Sequence, residues 1–293
     1  MIGAAAKYVV ITPVRNEAEH IERTLESMAR QTLPPLHWVI VDDGSTDDTP
    51  VILAKAAAKY PWLTVVRRGD RGFRKSGGGV VEAFDDGYAA LPTSDWDYVV
   101  KLDGDLWFEP DYFERCLNHF DADPRLGIAG GRVRVNEAGE WRIDSPGDPR
   151  FHVRGATKIY KRECWHAIQP LIRQPGWDTV DEVRANMRGW TTRSIADVAV
   201  FQQRATGSVD GAWRNWVKNG VANYVTGYHP LFMLGKCVKR LWGSPPVLPA
   251  IALWLGFCSG YVNGITRIED ASAIRYLRGQ QLRRLSFRSS IYG

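Results

Sequence analysis

The run Asp103-Gly104-Asp105 places two carboxylates one residue apart, with a glycine between them. Hard divalent cations such as Mg2+ or Mn2+ take oxygen ligands, keep several waters and share their shell with phosphates. Two closely spaced carboxylates suit that chemistry. The same tripeptide is also an ordinary turn, so its setting decides. It follows Tyr98-Val99-Val100-Lys101-Leu102, whose branched and aromatic content reads as a buried strand. Open α/β sheets bind ligands beyond the carboxyl ends of their strands, and the acidic pair would stand there.

Two more polar segments follow strands in the same way. Thr12-Pro13-Val14-Arg15-Asn16-Glu17 succeeds the apolar run Tyr8 to Thr12, and Asp42-Asp43-Gly44-Ser45-Thr46-Asp47-Asp48 succeeds Trp38 to Val41. Taken alone, the second segment is an acidic turn and helix cap. A glycine-rich loop, Gly69 to Gly79, carries Arg71 and Lys75 and leads into a helix. Helix starts favour anions, although a solvated basic loop reads this stretch equally well. It matches neither the dinucleotide nor the P-loop fingerprint. A third acidic group, Asp178, Asp181 and Glu182, falls on about one helical turn, and Asp178 reads equally as a helix cap.

The elements that must position these residues alternate along the first 120 residues. Strands are expected over Tyr8–Thr12, Trp38–Val41, Leu63–Val66 and Tyr98–Leu102. Helices are expected from Glu17 to Arg30, from Thr49-Pro50 with threonine as cap, from Val80 to Leu91, and from Asp111 to Phe120. This alternation implies an α/β domain with a mainly parallel central sheet flanked by helices. Beyond Gly127, Ile128–Val135, Phe151–Tyr160 and Arg193–Phe201 read as extended, and Thr179–Arg188 as a helix. Asn136 to Pro149 reads as a mobile polar loop. From Val209 the chain becomes helical and partly apolar, with a run from Pro245 to Ile265 broken by Pro249, Gly256 and Gly260. That run is shorter than the roughly 20 residues a spanning helix needs.

At 293 residues, the chain has room for one large domain, or a domain with an appendage. Its net charge of +5 favours anionic partners. Basic charge alone is poor evidence for nucleic acid, and no nucleic acid partner is expected. Cys116, Cys164, Cys237 and Cys258 are scattered, which argues against a zinc site or disulfide framework and for a reducing compartment. Met1 to Lys7 lacks the order of a secretory signal.

Taken in order, T-P-x-R-N-E, V-D-D-G-S-T-D-x-T and L-D-G-D, each after a strand, resemble the family-2 inverting glycosyltransferases of the GT-A fold. The resemblance covers roughly Lys7 to Arg204. It implies a metal-dependent transfer from a UDP- or GDP-type nucleotide-sugar to an acceptor hydroxyl, in cell-envelope, polysaccharide or glycolipid synthesis. It implies that Thr12, Pro13, Arg15 and Glu17 line the nucleotide pocket and that Asp43 accepts a hydrogen bond from the base. Asp103 and Gly104 would face the ribose or metal, and Asp105 would ligate Mg2+ or Mn2+. Lys75 would reach a phosphate. The base would come from Asp178, Asp181 or Glu182, although the family's Glu-Asp pair is not intact. Gly130-Gly131 and Arg154-Gly155-Ala156 would line the sugar side. Gln202-Gln203 is only a partial match to the element of processive members, because the tryptophan is missing. The implied division is a catalytic domain over 1–207, with a nucleotide half (1–105) and an acceptor half (106–207), and a helical region over 208–293. The basic and aromatic flanks of the apolar run point to a cytoplasmic protein, peripheral or monotopic at the inner membrane face, with a lipid-linked or membrane-proximal acceptor. Three other classes compete. A glycoside hydrolase also works with two carboxylates but would need no nucleotide site. A nucleotide-binding oxidoreductase would need glycines after the first strand, where there are none. A catalytically silent membrane-surface module would not need the intact acidic segments.

Overall fold

The computed structural model describes residues 6–72, 77–137, 139–204, 211–242 and 246–293. The first half runs β1 (Tyr8–Val14), α1 (Ile21–Ala29), β2 (His37–Asp42), α2 (Thr49–Lys59), β3 (Leu63–Arg67), α3 (Gly78–Ala89) and β4 (Tyr98–Leu102). The second adds β5 (Leu106–Phe108), α4 (Tyr112–Ala122), β6 (Leu126–Glu137), β7 (Glu140–Ile143), β8 (Thr157–Lys161), α5 (Arg162–Ile168), α6 (Trp177–Met187) and β9 (Thr191–Gln202). Four helices follow: α7 (Ala212–Val225), α8 (Pro230–Arg240), α9 (Leu248–Val262) and α10 (Ala271–Leu285).

One sheet runs in the order β3-β2-β1-β4-β8-β6-β9-β5, with β7 attached to β6. β3, β2, β1 and β4 are parallel, as the strand–helix alternation requires. β1 and β4 are the central strands of this half, and nearly every residue in them is buried. They therefore carry continuous apolar runs rather than alternation. β8 joins β4 antiparallel, with Lys101 directly opposite Lys158. β6 is antiparallel to β8 and parallel to β9. The helices cover both faces, with Phe113, Leu117 and Phe120 of α4 in one core and Phe84 and Trp165 in another.

Several boundaries differ from expectation. α1 begins at Ile21 because the Glu17 carbonyl first closes a turn, accepting from His20 N and Ile21 N. Asp48, not Thr49, occupies the cap position of α2, and the Thr49 hydroxyl instead accepts from Glu17 N at 2.9 Å. Segment 136–149 contains β7, which pairs in register with the end of β6. Only Thr157 onward forms the strand expected from Phe151, since the preceding backbone is engaged elsewhere, Val153 N by Glu182 and the Gly155 carbonyl by Lys101. α6 starts at Trp177 after Gly176 in the left-handed region (φ +87°), so Asp178 lies within its first turn and is not its cap. The expected boundary at 207/208 lies outside the described residues.

The last four helices are not a free appendage. Tyr224, Val225, Tyr228, Met233 and Phe257 share a core with Val180 and Val183 of α6. Arg184 of α6 also reaches Asp270 at 2.8 Å. The apolar run becomes α9, with one face buried on α7 and the other exposed at Leu248, Ile251 and Leu255. Contact is close because glycines face backbone. A Cβ on Gly256 would stand 2.1 Å from the Val217 carbonyl oxygen, and one on Gly220 would stand 2.2 Å from that of Leu253.

Gly256→Val should therefore force α7 and α9 apart. Overpacking of this kind costs about 1–3 kcal/mol, so the urea midpoint should fall. An unchanged midpoint would show that the helix contact does not support the fold.

Candidate functional site

The first two polar loops are locked together beyond the ends of β1 and β2. Asn16 N donates to Ser45 Oγ at 2.9 Å, and Thr46 N donates to Asn16 Oδ1 at 2.8 Å. Asp42 Oδ1 accepts from Ser45 N at 2.8 Å, which closes the second loop on itself. Gly44 adopts φ +73° against Asp70, where a Cβ would approach the Asp70 Cα to 2.5 Å. Arg15 binds the Asp43 carbonyl at 2.6 Å and the Asp70 carboxylate at 2.7 Å. The Asp43 carboxylate lies between Arg68, at 2.6 Å, and Arg71. Thr12 differs from expectation: it is fully buried, its hydroxyl accepts from Trp38 Nε1 at 2.9 Å, and it presents nothing to a ligand. Pro13 is half-buried at the end of β1. Lys75 lies outside the described residues.

The Asp103-Gly104-Asp105 turn is held from three sides. The Thr24 hydroxyl lies 2.7 Å from the Gly104 carbonyl and 2.6 Å from that of Leu106. Gly104 is required for packing, since a Cβ there would come within 2.6 Å of Val14. Gln203 N donates to the Asp105 carbonyl at 2.9 Å, and Gln202 Nε2 to Asp105 Oδ2 at 3.1 Å. Arg204 pairs with Glu17 at 2.7 Å and lies 3.8 Å from Asp105. Burial pushes the Glu17 carboxyl up to about 7 against the opposing pull of Arg204. Glu17 Oε2 is buried without a hydrogen-bond partner. Burial, then the charge of Asp103, raises Asp105 above the usual carboxylate range. Asp103 keeps 31 % of its side chain exposed and pairs with Lys101.

This donor set fits a hard divalent cation. It offers two carboxylates of hard oxygen, one of them open to solvent. No cluster of three or more His, Cys, Asp or Glu able to hold a metal occurs among the described residues. The rest of a cation's shell would therefore come from phosphate and water, as such ions commonly arrange.

The acidic residues of α6 divide into two groups. Lys158 Nζ is fully buried, and donates to both oxygens of Asp181 at 2.8 and 2.9 Å, to Glu182 Oε1 at 2.8 Å and to the Asp178 carbonyl at 2.5 Å. Tyr160 donates its hydroxyl to Asp181 at 2.7 Å, while Val153 N at 2.6 Å and His152 at 2.9 Å engage Glu182. Asp181 and Glu182 are thus sealed in the interior. Burial pushes Asp181 up to about 6 despite Lys158. The Asp178 side chain is only half-buried, and no other side chain hydrogen-bonds to its carboxylate among the described residues. Burial alone would raise Asp178, but His152, Lys158 and Arg154 together hold it below its usual value. It faces Gly155, where a Cβ would lie 3.2 Å from Asp178 Oδ2. The Gly155 carbonyl accepts from Lys101 at 2.5 Å, which links Asp178 to the Asp103 turn.

Gly130 and Gly131 are packing positions. Their Cβ atoms would meet the Thr157 carbonyl at 2.4 Å and the Tyr112 ring at 2.6 Å. Lys101, Lys158 and Arg204 escaped the sequence reading. The available signal for the first two was a lysine inside an otherwise apolar strand, a placement rare unless the charge is paired.

Comparison with known proteins places this arrangement. The family model described as glycosyl transferase family 2 matches residues 9–172. The chain is 31% identical over 166 residues to a chondroitin synthase of Pasteurella multocida (strain Pm70), covering 54% of this chain and 16% of that protein. It is 26% identical over 239 residues to a beta-monoglucosyldiacylglycerol synthase of Synechocystis sp., covering 74% of this chain and 48% of the relative. The chain therefore spans less than half the length of either. Among solved structures, the mannosyltransferase PcManGT from Pyrobaculum calidifontis, in complex with GDP-Man and Mn2+, superposes with a TM-score of 0.57 at 20% identity. That match covers 97% of this chain and 76% of the other. S. aureus TarS in complex with UDP-GlcNAc gives 0.56 at 15% identity, over 94% and 81%. These two share the fold. By the match over residues 9–172 and the architecture around it, the chain belongs to glycosyl transferase family 2 and is a glycosyltransferase of the GT-A fold.

Proposed function

We propose that the protein moves a sugar from a UDP- or GDP-type nucleotide-sugar to an acceptor hydroxyl with inversion, using Asp178 as general base and Asp103 and Asp105 to hold Mg2+ or Mn2+. The observation that carries this reading is the partition of the α6 carboxylates. Asp181 and Glu182 are consumed by Lys158, Tyr160 and His152, whereas Asp178 remains half-exposed beside Gly155. Similar folds that bind GDP-Man with Mn2+, or UDP-GlcNAc, support the donor class.

In this reading, Asp178 takes the acceptor hydroxyl proton as the acceptor oxygen bonds to the anomeric carbon. The bond from that carbon to the nucleoside diphosphate breaks on the opposite face, which inverts the centre. A bound cation would offset the charge on the departing diphosphate. Glu17, Arg15 and Asp43 border the nucleoside side, and Arg204 tethers Glu17 toward Asp105. Lys101 fixes Asp103 and the Gly155 carbonyl together, setting the donor and base sides at one spacing.

A membrane surface completes the reading. Leu231, Leu234 and Val238 of α8 are exposed beside Leu282, Leu285 and Phe287 near the end of α10. Lys239, Arg283, Arg284 and Arg288, all exposed, adjoin them in sequence. No described helix is long and apolar enough to cross a membrane. Exposed apolar residues with cations next to them match the interface of an anionic bilayer, with cell-envelope or glycolipid synthesis as the setting.

Asp105→Ala should abolish metal-dependent transfer while leaving the thermal midpoint near that of the parent. Full turnover in that variant, or with excess chelator, would remove the metal role. Asp178→Asn should lower kcat by about 10²–10⁴-fold, with nucleotide binding retained. Because Asp178 is held below its usual range, parent activity attributable to this group should decline only at acid pH. Asp181→Asn should instead act on stability. If it alone loses turnover, the base is Asp181. Finally, the protein should sediment with phosphatidylglycerol vesicles at low salt, and Leu234→Glu/Phe287→Glu should release it without losing the nucleotide-induced melting shift. A parent protein that stays in the supernatant would eliminate membrane docking.

A further inference from the structure

A pocket opens between the end of β7, the segment 144–154 and strands β6 and β9, and two of its lining residues, His152 and Arg154, also act on the charge of Asp178. Arg132, Asp144, Asp148, Arg150, His152 and Arg154 supply its charge. Some of that charge is already matched. Arg154 binds Asp144 at 2.6 Å, and His152 binds Glu182 at 2.9 Å. Arg132 and Arg150 have no carboxylate within ion-pair distance among the described residues. Asp148 is 3.7 Å from Arg154, and its Oδ2 is buried without a hydrogen bond.

α8 brings two more cations toward this side. Lys236 and Arg240 stand four residues apart, on one helical face. Neither has a carboxylate in ion-pair contact among the described residues; each faces a ring instead, Lys236 over Tyr228 at 5.2 Å and Arg240 over Trp216 at 4.3 Å. The carboxylate whose charge they feel is Asp148, the one that lines the pocket. Burial, then the charge of Arg240, pushes Lys236 down to about 8. Phe151 stacks edge-on with Tyr292, and Tyr292 with Phe232 of α8, so this helix is held against the pocket segment. With the two internal pairs set aside, Asp148 is the one carboxylate left for Arg132, Arg150, Lys236 and Arg240 among the described residues. Like charges at this spacing destabilise a helix. The fold therefore holds an excess of positive charge next to its base.

We propose that this pocket and the α8 cations bind a phosphate group of the acceptor, setting the acceptor hydroxyl at Asp178. A dianion matches the excess better than a singly charged carboxylate. The inference rests on Asp178 being the base, and deepens that reading by naming the acceptor as a phosphate ester. The same helix exposes Leu231, Leu234 and Val238 on its other side, so a lipid phosphate and a water-soluble one are both compatible in chemistry.

The test uses the full chain with saturating UDP or GDP and diamagnetic Mg2+, so that the donor side is already filled. Inorganic phosphate is titrated, with 31P line broadening and thermal melting as readouts. The parent should bind phosphate and melt at higher temperature as it does so. Lys236→Met should melt higher without phosphate, because one of two like charges is gone, and should bind phosphate about tenfold more weakly or worse. Arg132→Gln, on a different element, should weaken phosphate in the same direction if the first variant fails to fold. Equal phosphate binding in parent and both variants overturns the proposal, as does a parent that responds more strongly to glucuronate. Dihexanoyl phosphatidic acid acting at lower concentration than glycerol phosphate assigns the group to a lipid, and equal action assigns it to a soluble ester; either supports the subsite. Failure of nucleotide to bind at the outset would count against the donor reading instead, and is read separately.

Discussion

Two ammonium groups on neighbouring strands organise this molecule. Lys101 and Lys158 face each other across the β4–β8 ladder, both buried. Removing an ion from water costs several kcal/mol even after relaxation, so neither can persist unless acceptors come to it. The chain supplies them from opposite directions. Lys101 draws in Asp103 and the Gly155 carbonyl, while Lys158 draws in Asp181, Glu182 and the first turn of α6. Trp177 lies near both, with its ring 5.7 Å from one ammonium and 5.5 Å from the other. The loop after β4 and the start of α6 are therefore tied to one pair of charges, although they are far apart in sequence.

Much of the site was legible because its residues are local. A strand that ends in two carboxylates, and two strands that each end in a polar loop, carry their meaning within a few positions. The same locality explains where the structure adds partners that the sequence does not show. Thr12 stands inside a polar segment, but Trp38, from the neighbouring strand, takes its hydroxyl. Asp181 and Glu182 look like an acidic pair on a helix, and only β8 reveals the lysine that neutralises them. Phe151 to Ala156 has strand-like composition, yet its backbone is needed elsewhere: Val153 N for Glu182 and the Gly155 carbonyl for Lys101. Arg204 and Gln202 act on residues near 17 and 105, beyond the reach of any periodicity.

The C-terminal run shows how small residues divide an apolar segment between a packed face and an exposed one. Its length and aromatic content fit an interfacial segment, but small residues decide its packing. Gly220 and Gly256 allow backbone-to-backbone approach between α7 and α9, and Gly260 leaves room for the Tyr224 ring. One face of α9 is thereby spent on the core that also holds α6. Movement in these helices would be felt at α6 through Val180, Val183 and the Arg184–Asp270 pair.

That coupling bears on why Asp178 can remain charged while its neighbours are sealed. A helix start favours negative charge, and Asp178 is in the first turn of α6. Its carbonyl, not its carboxylate, meets Lys158, so the ammonium contributes charge without occupying the oxygens. His152 and Arg154 add to the same field while their own hydrogen bonds go to Glu182, Ser145 and Asp144. The carboxylate therefore has cations nearby that lower its proton affinity, yet no other described side chain occupies its oxygens. A direct salt bridge would have lowered the affinity too, but would have covered those oxygens. Placing the positive charge one contact away does the first without the second, and it depends on the fold burying Lys158 beneath the helix rather than beside it.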